Sequence, residues 1–312
     1  MSYLKIIRPV NLVIILLTQS LLRFCVMDTY FGLSLASSAF PVVDFILLVF
    51  STMLIAAGGY VINDYFDQKI DQANKPEKVI AGTTISALNL KRYYIVLTVP
   101  GNIIGFYLAI KINYLLLGFI FPVVSIMLWY YSSYYQKKIL SGNVMIATLS
   151  ALVILVLWLF EFFALKNDPI RFVDVFSQLN HVHVIVLGYA VFAFFVSLIR
   201  EISKDTEDME GDREGGFKTL PIVYGKKTSK SVIIGFHVFT MLLLGYFQYL
   251  LYAHGLMMVF WYVTIAVQSL FLFVLYYVFT AETKKEYHFL SSAYKIIMLA
   301  GILSMQLFYI SF

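Results

Sequence analysis

Val42–Asp71 reads V-V-D-F-I-L-L-V-F-S-T-M-L-I-A-A-G-G-Y-V-I-N-D-Y-F-D-Q-K-I-D. From Phe45 to Ile62 it carries no charge, and a helix of that length covers most of a hydrocarbon core about 30 Å thick. Beyond Ile62 its character changes. Asn63, Asp67 and Asp71 recur at i, i+4 and i+8, so a helix continuing past the membrane presents all three side chains on one face.

Working outward, eight more apolar runs follow the same logic. With this one, the expected spans are Val10–Met27, Val42–Ile62, Tyr93–Ile110, Tyr114–Tyr130, Val144–Ala164, Val184–Leu198, Val232–Tyr252, Met257–Phe279 and Ile296–Tyr309. Composition agrees: 61% of the 312 residues are hydrophobic and 13% charged, against roughly 25% charged in soluble domains. A mean hydropathy of +0.83 excludes an ordinary soluble protein. Seventeen Gly and 7 Pro are too few for a collagen-like or disordered chain. The single Cys25 excludes a disulfide framework and a thiolate metal cluster. Lys5 and Arg8 ahead of an apolar run have the look of a signal peptide, but with eight spans behind them we read a retained first helix. The fold class is therefore all-α: a polytopic membrane protein in which residues 1–312 form one integral-membrane domain.

Loop charge sets the orientation. Lys5 and Arg8, then Lys69, Lys75, Lys78, Lys91 and Arg92, then Lys137 and Lys138, then Arg200 through Lys230, then Lys284 and Lys285 all fall on one side. The opposite loops hold only Lys111, Lys166 and Arg171. The positive-inside rule places the N-terminus and the charged loops in the cytoplasm and the C-terminus outside. In this setting the net charge of +5 speaks to topology and not to nucleic acid; the implied partner is a lipid bilayer, and nothing calls for an obligate protein partner.

Eleven of the 18 acidic residues lie in two of those cytoplasmic stretches: Asp64, Asp67, Asp71 and Glu77, then Glu201, Asp205, Glu207, Asp208, Glu210, Asp212 and Glu214. The second stretch repeats the i, i+4 spacing at Asp208 and Asp212, with Lys204 four residues before Asp208. Like charges partly withdrawn from water repel by several kcal/mol, and a divalent cation removes that repulsion. Mg²⁺ takes one or two carboxylates together with substrate phosphate oxygens and waters. Two carboxylate faces with an Asn oxygen therefore suit Mg²⁺ ions clamping a diphosphate.

Gly59–Asp71 resembles the first aspartate-rich motif (N-x-x-x-D-x-x-x-D) of the UbiA superfamily of membrane-embedded prenyltransferases, and Arg200–Gly225 resembles its second. Arg8-Pro9-Val10-Asn11, Asn74-Lys75-Pro76, and Tyr131-Ser132 through Lys137-Lys138 to Gly142-Asn143 agree as well, so the likeness covers nearly the whole chain. The resemblance implies nine helices around a central cavity and Mg²⁺-dependent transfer of a prenyl group from a prenyl diphosphate to a lipophilic acceptor. It makes Asn63, Asp67, Asp71, Asp208 and Asp212 the metal set and puts Lys204 and Tyr131 among the catalytic residues. Asn11, Asp205, Lys137 and Lys138 become substrate-binding residues. Lys75 and Lys78 stand where the family usually has arginines, so charge is kept and bidentate phosphate geometry is lost.

The second motif with Lys218-Thr219-Leu220-Pro221 is most similar to family members that alkylate a prenylated glycerol phosphate. This implies geranylgeranylglyceryl phosphate as acceptor, its phosphate near Lys218, Lys226 and Lys227. Hydroxybenzoate- or homogentisate-type acids and chlorophyll-type acceptors are the alternatives within the family. A cation-coupled transporter is the alternative outside it, disfavoured because transport sites lie near the midplane and these carboxylates lie at helix ends. Gln19 and Arg23, one turn apart in the first span, read equally as a site or as a side chain snorkelling to the outer interface. His181 and His183 read as interfacial. Gly225-Lys226-Lys227-Thr228 lacks the upstream glycine and strand of a phosphate loop.

The topology is open to direct measurement. With Cys25→Ser as background, Gln72→Cys and Lys226→Cys are expected to react with an impermeant maleimide from the cytoplasmic side and Asn167→Cys from the outside. Labelling of the first two from opposite faces would separate the two motifs.

Overall fold

In a computed structural model of the chain, residues 2–32, 38–74 and 80–311 are described, and of residues 69 and 71–74 the backbone alone. Every regular element among them is helical, which satisfies each backbone N–H and C=O inside its own segment where no water reaches. Nine helices among the described residues are long and apolar enough to cross a membrane. They are α1 (Pro9–Phe31), α2 (Val42–Asn74), α3 (Ala87–Lys111), α4 (Leu115–Ser133), α5 (Ser141–Lys166), α6 (Pro169–Glu207), α7 (Leu220–Ala253), α8 (Met257–Thr280) and α9 (Lys284–Ser311).

Two helices organise the bundle. The first, α2, packs on α3 and α4, while α6 touches α5, α7 and α9. Between these groups α1 contacts α2, α5 and α9 and closes the ring. Close approach depends on missing side chains: a Cβ at Gly59 would stand 2.8 Å from Leu128 Cδ2, so α2 and α4 meet there only because the residue is glycine. All nine helices contribute to one buried apolar cluster. Outside it, Leu116, Ile170 and Leu242 stand exposed, an exterior that water would not tolerate over so large an area and that lipid solvates.

Several helices outrun the spans read from hydropathy. The 39 residues of α6 correspond to about 58 Å at 1.5 Å per residue, well beyond the expected Val184–Leu198. Its start is fixed by Asp168, whose side chain accepts from Arg171 N. At α9 the start is Lys284 instead of Ile296, because Thr283 and Glu286 form a capping box. Hydropathy locates the bilayer-length core of a helix, whereas caps and hydrogen bonds decide where it ends.

Arg23 does neither of the things its position suggested. The side chain is fully buried, Nη1 lies 2.7 Å from Glu161 Oε1 on α5, and Nη2 donates to Ser38 Oγ at 2.9 Å and to the Phe40 carbonyl. The Phe45 ring centre lies 4.8 Å from its guanidinium carbon. The α-helical pattern of α1 widens to a π-turn over Leu22–Met27 at this point. Gln19, one turn earlier, donates to the Val153 carbonyl at 2.9 Å. These polar side chains tie α1 to α5 and to the segment before α2.

Breaking one partner of this pair strands a charge. Glu161→Leu is expected to destabilise by about 3 kcal/mol or more, read as a large fall in melting temperature in detergent. Arg23→Met with Glu161→Leu, which removes both charges, should recover much of that loss.

Candidate active site

The polar end of the bundle is built from helix termini. At the start of α1, Arg8 adopts a left-handed φ of +53° and Pro9 takes the first helical position, where its missing N–H is no loss. From this corner Arg8 Nη2 donates to Asp64 Oδ1 of α2 at 2.7 Å, with its guanidinium carbon 4.9 Å from the Tyr60 ring centre.

On α2, Asn63 and Asp67 lie one turn apart, both buried. Asn63 Nδ2 donates to Asp67 Oδ2 at 2.7 Å and to Gln136 Oε1 at 2.9 Å. Gln136 Nε2 in turn donates to Asp67 Oδ2 at 2.8 Å. This closed ring joins α2 to the loop after α4. With the nitrogen side of Asn63 taken by two acceptors, its oxygen is the atom it can offer a cation. Asp71 continues the helix one turn further; its side chain lies outside the described residues.

The second motif forms where α6 ends. Asp208 caps the helix, its N–H donating to the Lys204 carbonyl at 2.9 Å and its carbonyl accepting from Asp212 N at 3.0 Å. Asp212 is buried on the short helix Met209–Glu214, which packs against α2. A Cβ at Gly215 would stand 2.9 Å from Ile70 Cγ1, so glycine there lets the two motifs approach. Asp205 Oδ2 accepts from Asn143 Nδ2 at 2.8 Å, and Glu207 Oε1 pairs with His288 Nδ1 of α9 at 2.9 Å.

Beneath these groups lies a cavity of about 340 Å³. Its polar lining includes Arg8, Asn11, Tyr131, Arg200, Lys204 and Lys295, and its apolar wall Ile154, Val156, Phe192, Met298 and Met305. Of the expected residues, Asn11, Asn63, Tyr131 and Lys204 line it. Asp67, Asp205, Asp208 and Asp212 gather at the same end through the contacts above. Lys137 and Lys138 do not line it; their ammonium groups rest over Phe217, 5.5 Å from the ring centre, and Tyr134, at 4.6 Å, because a cation at an interface is held by an aromatic face. Lys75 and Lys78 lie outside the described residues. Lys218 and Lys227 are exposed and absent from the cavity wall.

Sequence reasoning did not single out Gln136 or Lys295, and it carried Arg200 and Glu201 only as part of the second motif stretch without a role of their own. Arg8 and Arg200 were visible as topology signals and as members of the stretches that resemble the family, and Arg200 is paired with Glu201 at 2.5 Å. Lys295, sitting directly before the last apolar run, carried the signal of an ionisable residue at a span edge. Gln136 carried none.

Among the described residues no three of His, Cys, Asp and Glu converge on one point. Each motif brings oxygen donors in ones and twos. That donor set fits Mg²⁺, which completes its shell from substrate phosphate and water.

Among the described residues, nine apolar helices enclose an apolar chamber with carboxylates and cations at one end, an arrangement with room for a lipid and polar groups to meet an anion. Residues 25–294 match the UbiA prenyltransferase family. A digeranylgeranylglyceryl phosphate synthase from Methanothermobacter thermautotrophicus is 34% identical over 229 residues, 73% of this chain and 68% of that protein. A solved structure reported for digeranylgeranylglyceryl phosphate synthase superposes with a TM-score of 0.63 at 25% identity, covering 100% of this chain and 98% of the other. A UbiA homologue from Archaeoglobus fulgidus bound to DMAPP and Mg²⁺ shares the fold, with a TM-score of 0.57 at 14% identity and coverage of 98% and 99%. The chain belongs to the UbiA prenyltransferase family and is an integral-membrane prenyltransferase, which sets the transporter reading aside.

Were Asp67 to hold a metal, Gln136 would be its outer partner through the 2.8 Å bond, and loss of such partners typically weakens metal affinity or activity 10–100-fold. Gln136→Ala is therefore expected to raise the Mg²⁺ concentration for half-maximal activity by about tenfold, with the melting temperature unchanged.

Proposed function

We propose that this chain transfers a geranylgeranyl group from geranylgeranyl diphosphate to the free hydroxyl of geranylgeranylglyceryl phosphate, at a Mg²⁺-dependent site facing the cytoplasm. The observation that carries the reading is the cavity: an apolar chamber whose polar end gathers both carboxylate motifs and four cationic side chains. Similarity to digeranylgeranylglyceryl phosphate synthases supports the acceptor, and loop charge supports the orientation.

In this reading Asn63, Asp67, Asp71, Asp208 and Asp212 hold the metal. When bound, Mg²⁺ neutralises the charge that builds on the diphosphate as it leaves. Lys204 adds a point charge beside it, and Asn143 fixes the orientation of Asp205. The allylic C–O bond breaks with its electron pair on the diphosphate. The acceptor hydroxyl oxygen then bonds to the allylic carbon, and the hydroxyl proton departs with the diphosphate. Tyr131 lines the cavity, where an aromatic face stabilises an allylic cation by up to about 2 kcal/mol. Apolar walls exclude water, which would otherwise intercept the cation.

Asp67→Asn, Asp71→Asn, Asp208→Asn and Asp212→Asn are each expected to lower kcat by about two orders of magnitude or more. Relief of charge repulsion should leave the metal-free protein no less stable, as thermal melting will report. Full turnover in chelator, or a wild-type rate in Asp67→Asn and Asp208→Asn, refutes the mechanism. Products formed from geranylgeranyl diphosphate with geranylgeranylglyceryl phosphate or with a hydroxybenzoate, weighed by mass spectrometry, decide the acceptor. A diether is expected; a C-prenylated aromatic with no diether overturns the acceptor and leaves the prenyltransferase standing.

A further inference from the structure

Four cationic side chains line the central cavity, and three of them have carboxylates beside them. Arg8 is 2.7 Å from Asp64 and Arg200 is 2.5 Å from Glu201. The charge on Lys204 is acted on by Glu201 and Asp208. Lys295 differs. Its Nζ donates to a neutral partner, Asn11 Oδ1, at 2.8 Å, and the charges acting on it are those of Arg200 and Arg8, both of its own sign. Among the described residues no carboxylate lies within ion-pair distance of it.

An ammonium carries three donors, and one amide oxygen occupies one of them. Placed some three turns into α9, against a largely apolar chamber, such a charge is unfavourable without a counter-ion. The described residues supply none, so the substrate is the natural source. The expected metal set stands on another wall: Asn63 and Asp67 are on α2, which packs on α1, α3, α4 and the short helix Met209–Glu214 but not on α9, whereas Lys295 and Asn11 stand where α9 meets α1. Nor do the lysines first expected to hold an acceptor phosphate serve, since Lys218 and Lys227 are exposed away from the cavity wall.

We propose that Lys295, held by Asn11 at the α1–α9 wall, binds the anionic head of the acceptor, a phosphomonoester, and so determines acceptor specificity. This rests on the acceptor reading above. Binding there puts the acceptor's negative charge on a cation distinct from those that meet the leaving diphosphate. It also explains why Asn11 presents its oxygen inward: the contact fixes the lysine stem and leaves the remaining N–H groups to the ligand.

Equilibrium binding to the full-length protein in nanodiscs, without donor or Mg²⁺, tests the residue apart from the chemistry. The probes are geranylgeranylglyceryl phosphate and the uncharged geranylgeranylglycerol. Wild type is expected to prefer the phosphate by about tenfold or more, the scale of a hydrogen bond to a charged group. Lys295→Met should cut that preference to about twofold or less and Lys295→Arg should keep it, both with wild-type melting temperatures. In turnover, Lys295→Met should raise KM for the phosphorylated acceptor and leave KM for geranylgeranyl diphosphate unchanged. An undiminished preference in Lys295→Met overturns the proposal, as does an equal loss for both probes or a rise confined to the donor KM. A wild type that selects the phosphate through Lys295 yet forms no diether overturns the acceptor reading alone.

Discussion

A peptide group in hydrocarbon has no water to bond, so each segment that crosses must close its own hydrogen bonds. Everything else in this structure follows from that constraint. Helices are the permitted element, their side chains alone face lipid, and charge is driven to their ends or into pairs. The chain obeys closely. Most of its carboxylates collect where α2 and α6 terminate, and Arg23, at membrane depth, is matched by Glu161 at 2.7 Å and wrapped by Phe24, Phe40 and Phe45.

Most of the charge gathers at one end, and the candidate site forms there. Carboxylates from two helices and cations from three meet above a largely apolar chamber. Such an arrangement is poorly balanced by itself. Lys295 is held by an amide, a neutral partner that orients its charge without cancelling it. Neutralisation of Lys295 is thus left to a ligand, and in a prenyltransferase that reserves the stabilisation for bound and reacting states.

Polar side chains divide by partner. Arg23 and Glu161 answer each other and serve stability. Arg8 and Arg200, each beside an acid, shape the mouth of the chamber while remaining cationic toward it. Gln136 works through Asp67, and Asn143 through Asp205. Glycine at positions 59 and 215 has no chemistry, yet it sets how near α4 and the second motif come to α2.

The nine spans, the all-α class and the two motifs were legible in the sequence, because hydrophobic run length and the i, i+4 spacing of Asn63 and Asp67 are local properties of one chain segment. Charge bias likewise gave an orientation. What the sequence could not give was which partners meet across the bundle. Nothing near Arg23 distinguishes a snorkelling arginine from one paired with a glutamate some 140 residues away, and Lys137 and Lys295 look alike until one is found over a ring and the other on the cavity wall. Whether a charge is a topology signal, a structural pair or a substrate contact depends on what lies opposite it. That is decided by helix packing, which brings together residues that no local pattern relates.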